Sequence, residues 1–176
     1  RDVIDGLNPD TISSALEQAL TYHRRGESLQ AIDRLHALLS QRPSGTAWYT
    51  LANIYHDLHR HKEAIASYHQ AIHASPNLPE AYNNLALALE ETGEIGQAVD
   101  VLRTALKLSP KYFNGHLNMA RLLRRIREYE AAISHCENAL AIDPHHIAPL
   151  VDLGRIHFES RRTRTGIRWL QLALEK

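Results

Sequence analysis

Residues 45–78, GTAWYTLANIYHDLHRHKEAIASYHQAIHASPNL, order large and small apolar residues in a way that returns in every neighbouring segment. With Gly45 counted as place one, Trp48 falls at place four, Leu51 at seven, Ala52 at eight, Tyr55 at eleven, Ala64 at twenty, Tyr68 at twenty-four, Ala71 at twenty-seven and Pro76 at thirty-two. The spacing predicts two helices joined by a turn, with the proline closing the second.

Working outward, the prolines repeat the period. Pro43, Pro76, Pro110 and Pro144 are separated by 33, 34 and 34 residues. The unit 79–112 sets Tyr82, Leu85, Ala86, Leu89, Ala98, Leu102 and Ala105 in register. The unit 113–146 sets His116, Met119, Ala120, Leu123, Ala132, Cys136 and Ala139 there, His116 being its polar departure. The unit 147–176 is weaker, with Leu150, Leu153, Gly154, His157, Gly166, Leu170 and Ala173. Its Gly166 stands where the others have Ala, at a propensity cost of about 1 kcal/mol in a helix interior.

On the amino-terminal side, residues 1–8 hold Gly6 and no sustained helical period, and read as a lead-in or linker. Asn8 is a candidate N-cap and Pro9 suits a first turn, predicting a helix over 9–24, a break at Arg25-Gly26 and a second helix over 27–40. Aligned on Pro43, the unit 12–44 sets Ala15, Gln18, Ala19, Tyr22, Ala31, Leu35 and Leu38 in register. Gln18 lies where the next unit has Leu51, and marks an end unit with one face turned to water.

Small residues occupy two places throughout: Ala19, Ala52, Ala86, Ala120 and Gly154 at place eight, and Ala31, Ala64, Ala98, Ala132 and Gly166 at place twenty. They let helix backbones approach, while large residues at places seven, eleven and twenty-four fill the space beside them. The branched set Ile32, Ile65, Val99, Ile133 and Ile167 supports the same face of the second helix. No single pair buries this surface, so each depends on its neighbours.

This order resembles the tetratricopeptide repeat, W-x2-L-G-x2-Y followed by A-x3-F, A and P, with Ala in place of the Gly. The resemblance implies an all-α, right-handed α-solenoid of antiparallel helix pairs, a single array over residues 9–176. It also implies a scaffold that binds proteins or peptides, with the first helix of each pair lining a concave face. Places two, five, six, nine, twelve and thirteen are then the expected contact positions.

Asn84 and Asn118 both fall at place six, within YNNLA and HLNMA. They look like the asparagine ladder of the O-linked N-acetylglucosamine transferase superhelix, which implies that they hold the backbone of an extended peptide. A carboxamide suits that task because it donates and accepts at once. Asn53 at place nine offers a further amide, and Asn83 lies at place five. Each bond contributes only about 0.5 to 1.5 kcal/mol, so other contacts must add to them. The two-carboxylate clamp of chaperone-binding repeats needs Lys and Asn at places five and nine of one repeat, where Asn83 and Leu87 stand, and Lys and Arg at places two and six of a third, where Ala148 and Asp152 stand, and is not expected.

Arg121 and Arg125 lie four apart on one helix face and could grip a carboxylate or phosphate of a partner. The competing expectation is local pairing of Glu90 with Arg124, which share one place in adjacent units. Arg161, Arg162 and Arg164 surround the last inter-helix turn and read as a solvated run.

Twelve histidines raise the question of a metal. His56, His59 and His61 cluster at one turn and His69 and His73 lie four apart, yet neither Cys nor carboxylate completes a familiar ligand set. Surface histidine is the expectation, with no metal and no cofactor. A glycine-rich phosphate loop and a nucleophile with its base are both missing from the sequence, so no enzyme activity is expected.

Twenty basic residues balance twenty acidic ones, which argues against nucleic acid as a partner. No run of eighteen apolar residues suggests a membrane span. The lone Cys136 takes a core place and cannot close an internal disulfide, compatible with the cytoplasm and equally with a periplasm. The cytoplasm is the expected compartment. The chain opens on Arg1 rather than Met and reads as part of a longer protein. The last helix, with Trp169, Leu170, Leu172 and Leu174, offers an apolar face for further repeats, a second domain or a second copy. Recruitment of substrates to a larger enzyme such as a glycosyltransferase is the alternative role.

Overall fold

A computed structural model describes residues 9–176. Ten helices follow in order: α1 Pro9–Arg24, α2 Ser28–Gln41, α3 Gly45–Asp57, α4 His61–Ala74, α5 Pro79–Glu91, α6 Ile95–Leu108, α7 Phe113–Arg125, α8 Tyr129–Ile142, α9 Ile147–Glu159 and α10 Thr163–Leu174. No strand occurs among the described residues. The expected lead-in over 1–8 and the Asn8 cap lie outside them. The chain forms two compact units, Arg1–Ala88 and Leu89–Lys176, with the boundary inside α5. In the first, α1 packs on α2, α2 on α3 and α3 on α4, while α1 also touches α3. In the second, α6 packs on α7, α7 on α8, α8 on α9 and α9 on α10, while α7 also touches α9. Neighbour-only packing of this kind is the mark of a repeat array.

The two small-residue places are buried in all five repeats, and beside them Leu35, Leu51, Tyr68, Leu102 and Cys136 are fully enclosed. Burial pushes the Cys136 thiol up to about 12, so it serves as a core residue and not as a nucleophile. At the amino-terminal end Gln18 is exposed and accepts a hydrogen bond from Arg34, as an end unit requires. At the other end Ile167, Leu172 and Leu174 are exposed, so the branched place that is buried at Ile32 and Val99 is open in the last helix.

The turn between the two helices of each repeat is the same structure five times. The residue at place fifteen takes the left-handed conformation: Gly26 (φ 82°), His59 (55°), Gly93 (87°), Arg127 (64°) and Arg161 (63°). The next amide then reaches back five residues, from Glu27 to Tyr22, Arg60 to Tyr55, Glu94 to Leu89, Glu128 to Leu123 and Arg162 to His157, at 2.7–2.9 Å. This closes the first helix by satisfying a carbonyl that has no partner within it. Three turns therefore hold this conformation without glycine.

The last pair is closer than the others could be. A Cβ on Gly166 would stand 2.9 Å from the Gly154 carbonyl oxygen and 2.9 Å from Phe158, and one on Gly154 would stand 2.6 Å from Leu170. The glycine that costs α10 propensity is thus the residue that lets α9 and α10 meet.

His59, His69 and His73 are exposed and His56 and His61 partly so, while two other histidines depart from the surface expectation. His116 and His157 are buried, and His135 is half-buried beside His116, because their repeat places face the packed interior. His116 Nε2 donates to the Pro110 carbonyl at 2.9 Å, leaving its Nδ1 to accept from His135 Nδ1 at 2.9 Å. Burial, and then the neighbouring His116, hold His135 below the usual histidine range. Burial, and then Arg162, do the same for His157, whose Nδ1 is enclosed without a hydrogen bond. Both groups are lowered in the fold, so the unfolded chain binds more protons as pH falls from about 6.5, and stability present above that value is lost below it. The urea midpoint is expected to fall between about pH 7.5 and about pH 5, with a shallower slope in His135→Gln. An unchanged slope in that variant would show that His135 does not drive the loss.

Candidate partner-binding surface

In the first unit, α3 and α5 bring the sequence-predicted amides together. Asn84 Nδ2 donates to Asn53 Oδ1 and to the Tyr49 hydroxyl, both at 3.0 Å. Tyr68, buried on α4, donates its hydroxyl to the same Asn53 oxygen at 2.7 Å. Asn83 is buried, only 5% exposed, and its amide nitrogen donates to Asn84 Oδ1 at 3.2 Å. Asn53 and Asn84 are partly exposed, so the network is anchored in the core and opens at the surface. Both Asn84 donor hydrogens have acceptors within the chain. Tyr49, at place five, was not singled out by the sequence and is the third member of this surface patch.

In the second unit, α7 carries Asn118, which is partly exposed, with Arg121 and Arg125, which are exposed. Arg121 Nε donates to Asp152 Oδ2 at 2.9 Å, and Arg125 is bonded to Glu90. Asp152 is almost fully buried, at 2% exposure, and its other oxygen lies 3.8 Å from Arg155. Arg124 bonds Glu159, so the expected Glu90–Arg124 pair is replaced by two others. The reason is a one-place offset between neighbouring first helices. Place twelve of one repeat meets place thirteen of the next, and this gives His23–Asp57 at 3.0 Å, Glu90–Arg125 and Arg124–Glu159. A second offset sets place nine against place six, giving Asn53–Asn84 and Arg121–Asp152. Equal places do not pair, so Glu90 meets Arg125 and not Arg124 as expected.

At the turns, Arg124, Arg125, Arg127, Tyr129, Glu159 and Arg161 line an open pocket of about 480 Å³. The sequence reading did not single out Arg127, and took Arg161 as part of a solvated run. Among the described residues, no group of three or more His, Cys, Asp or Glu side chains is placed to hold a metal ion, and no helix is long and apolar enough to cross a membrane.

Three family profiles match this chain, one described as "TPR repeat" over residues 52–93 and two as "Tetratricopeptide repeat" over 83–147 and 126–176. The chain belongs to the tetratricopeptide repeat family. Among solved structures it is similar to MamA of Desulfovibrio magneticus RS-1, with 16% identity over 93% of each chain and a TM-score of 0.83. It is also similar to PilF of Pseudomonas aeruginosa, with 19% identity, 93% of this chain and 75% of that one covered, and a TM-score of 0.80. YrrB, described as a TPR protein with an unusual peptide-binding site, aligns at 18% identity over 92% of this chain and 84% of its own, with a TM-score of 0.77. No curated protein matches the sequence. The structural likenesses confirm an all-helical repeat fold.

Proposed function

We propose that this chain is a non-catalytic interaction scaffold that takes up an extended segment of a partner protein along the first helices of its repeats. The observation that carries the reading is the patch of Tyr49, Asn53 and Asn84. Three partly exposed polar side chains on α3 and α5 are held in fixed positions by Tyr68 and Asn83 beneath them. Fixed amides and hydroxyls lose little freedom when a ligand replaces one of their bonds, so binding costs less entropy there. A peptide unit offers the acceptor and donor that such a patch exchanges for its internal partners. Asn118 on α7 carries the same role in the second unit. Arg121 and Arg125 keep exposed guanidinium surface beside it and add preference for acidic side chains.

Selection from a random peptide library, followed by titration of the selected peptides, tests this. Asn84→Ala and Asn118→Ala, measured singly and together, are expected to weaken binding about tenfold in combination, the equivalent of two hydrogen bonds. Affinity that survives both substitutions would show that the amides serve the fold alone.

A further inference from the structure

We propose that the pocket at the turns of the fourth and fifth repeats binds a phosphoryl dianion; it borders the groove at Arg125, but the two cations that carry it, Arg127 and Arg161, take no part in the groove reading. Four of its six lining residues are arginines, Arg124, Arg125, Arg127 and Arg161, with Tyr129 and Glu159 completing it. Two of those charges are already met. Arg124 is bonded to Glu159 and Arg125 to Glu90. Arg127 and Arg161 have no carboxylate partner among the described residues, which leaves the pocket with two uncompensated positive charges. A carboxylate would neutralise one of them, and a phosphoryl dianion matches both.

The backbone beneath the two cations is fixed. Both sit at place fifteen in the left-handed conformation, each clamped by the amide that follows it, Glu128 to Leu123 and Arg162 to His157. Their side chains are exposed and their Cα positions are set by the helix ends, so the two planar donor forks stand on rigid supports. A solvated turn that needed only to end a helix would take glycine here, as the first and third repeats do with Gly26 and Gly93. A pocket of about 480 Å³ admits a phosphate together with the residue that bears it.

The probe is a fluorescein-labelled Gly-Gly-phosphoserine-Gly-Gly peptide, titrated by anisotropy into the 176-residue chain beside its serine and glutamate counterparts, with inorganic phosphate as competitor. The phosphopeptide is expected to bind at least about tenfold more tightly than either counterpart, and less tightly as salt is raised. Arg127→Gly with Arg161→Gly removes both free cations while placing at each turn the residue that its backbone favours. That variant is expected to lose the tenfold preference with an unfolding midpoint equal to or above that of the parent. A phosphopeptide preferred over inorganic phosphate assigns the site to a modified partner segment, and equal affinities assign it to the free ion. Equal binding of the glutamate peptide, or a preference unchanged in the double glycine variant, overturns the proposal. Asn84→Ala leaves this binding untouched, so loss of the groove reading does not decide the outcome here.

Discussion

Arg121→Ala is expected to lower the unfolding free energy by about 2 to 3 kcal/mol, although the residue it removes is exposed. The cost lies with the partner. Asp152 is 2% exposed, and without Arg121 its charge keeps only the Arg155 guanidinium at 3.8 Å. Breaking a pair in which both members are buried costs about 3 to 5 kcal/mol, and the exposed guanidinium places this case below that range. Asp152→Asn removes the buried charge itself, so it is expected to cost about 1 kcal/mol alone and to restore most of the loss when added to Arg121→Ala. Urea unfolding of the two single variants and the double one measures the coupling. If Arg121→Ala falls within about 0.5 kcal/mol of the parent, the pair contributes nothing to the fold.

Gly166→Val is expected to destabilise the second unit by about 3 kcal/mol, against the gain that a glycine removed from a helix usually brings. Its Cβ would meet the Gly154 carbonyl oxygen at 2.9 Å, and that oxygen belongs to backbone that cannot step aside. Separating α9 from α10 to relieve the contact would also draw Leu170 away from Gly154 and Phe158 away from Gly166. Gly96 supplies the contrast. No atom lies within 4 Å of a Cβ built there, so Gly96→Ala in α6 is expected to stabilise by about 0.5 kcal/mol. Thermal unfolding of both variants separates packing from propensity. Two stabilised variants would show that the Gly154–Gly166 approach is not needed.

The fold was legible because it is written in residue size and period. The Ala places, the large residues beside them and the proline spacing each recur, and all describe one packing solution repeated. The expected helices at 9–24 and 27–40 accordingly appear as Pro9–Arg24 and Ser28–Gln41. The surface was less legible, because polar contacts between repeats depend on an offset that a register of equal places does not contain. Glu90 and Arg124 share place twelve and do not meet, since each reaches place thirteen of its neighbour. The burial of His116 and His157 was hidden by residue type. Their places are core places, and a hydrogen bond to the Pro110 carbonyl satisfies a ring nitrogen of the first of them there. Partners for both of its ring nitrogens, the Pro110 carbonyl and His135, come from the packing, and sequence spacing does not encode them.

The twelve-to-thirteen offset also fixes the order in which these repeats can be strung. The third repeat offers Glu90 to Arg125, and the fourth offers Arg124 to Glu159, so the sign reverses at each step. A tandem copy of the fourth repeat would set Arg124 of one copy against Arg125 of the next, exchanging attraction for repulsion at the new junction. Similar as their cores are, the repeats are not interchangeable bricks. The third and fourth carry on their rims the complement of the repeat that follows, and lengthening the array by duplicating the fourth would require recharging that rim first.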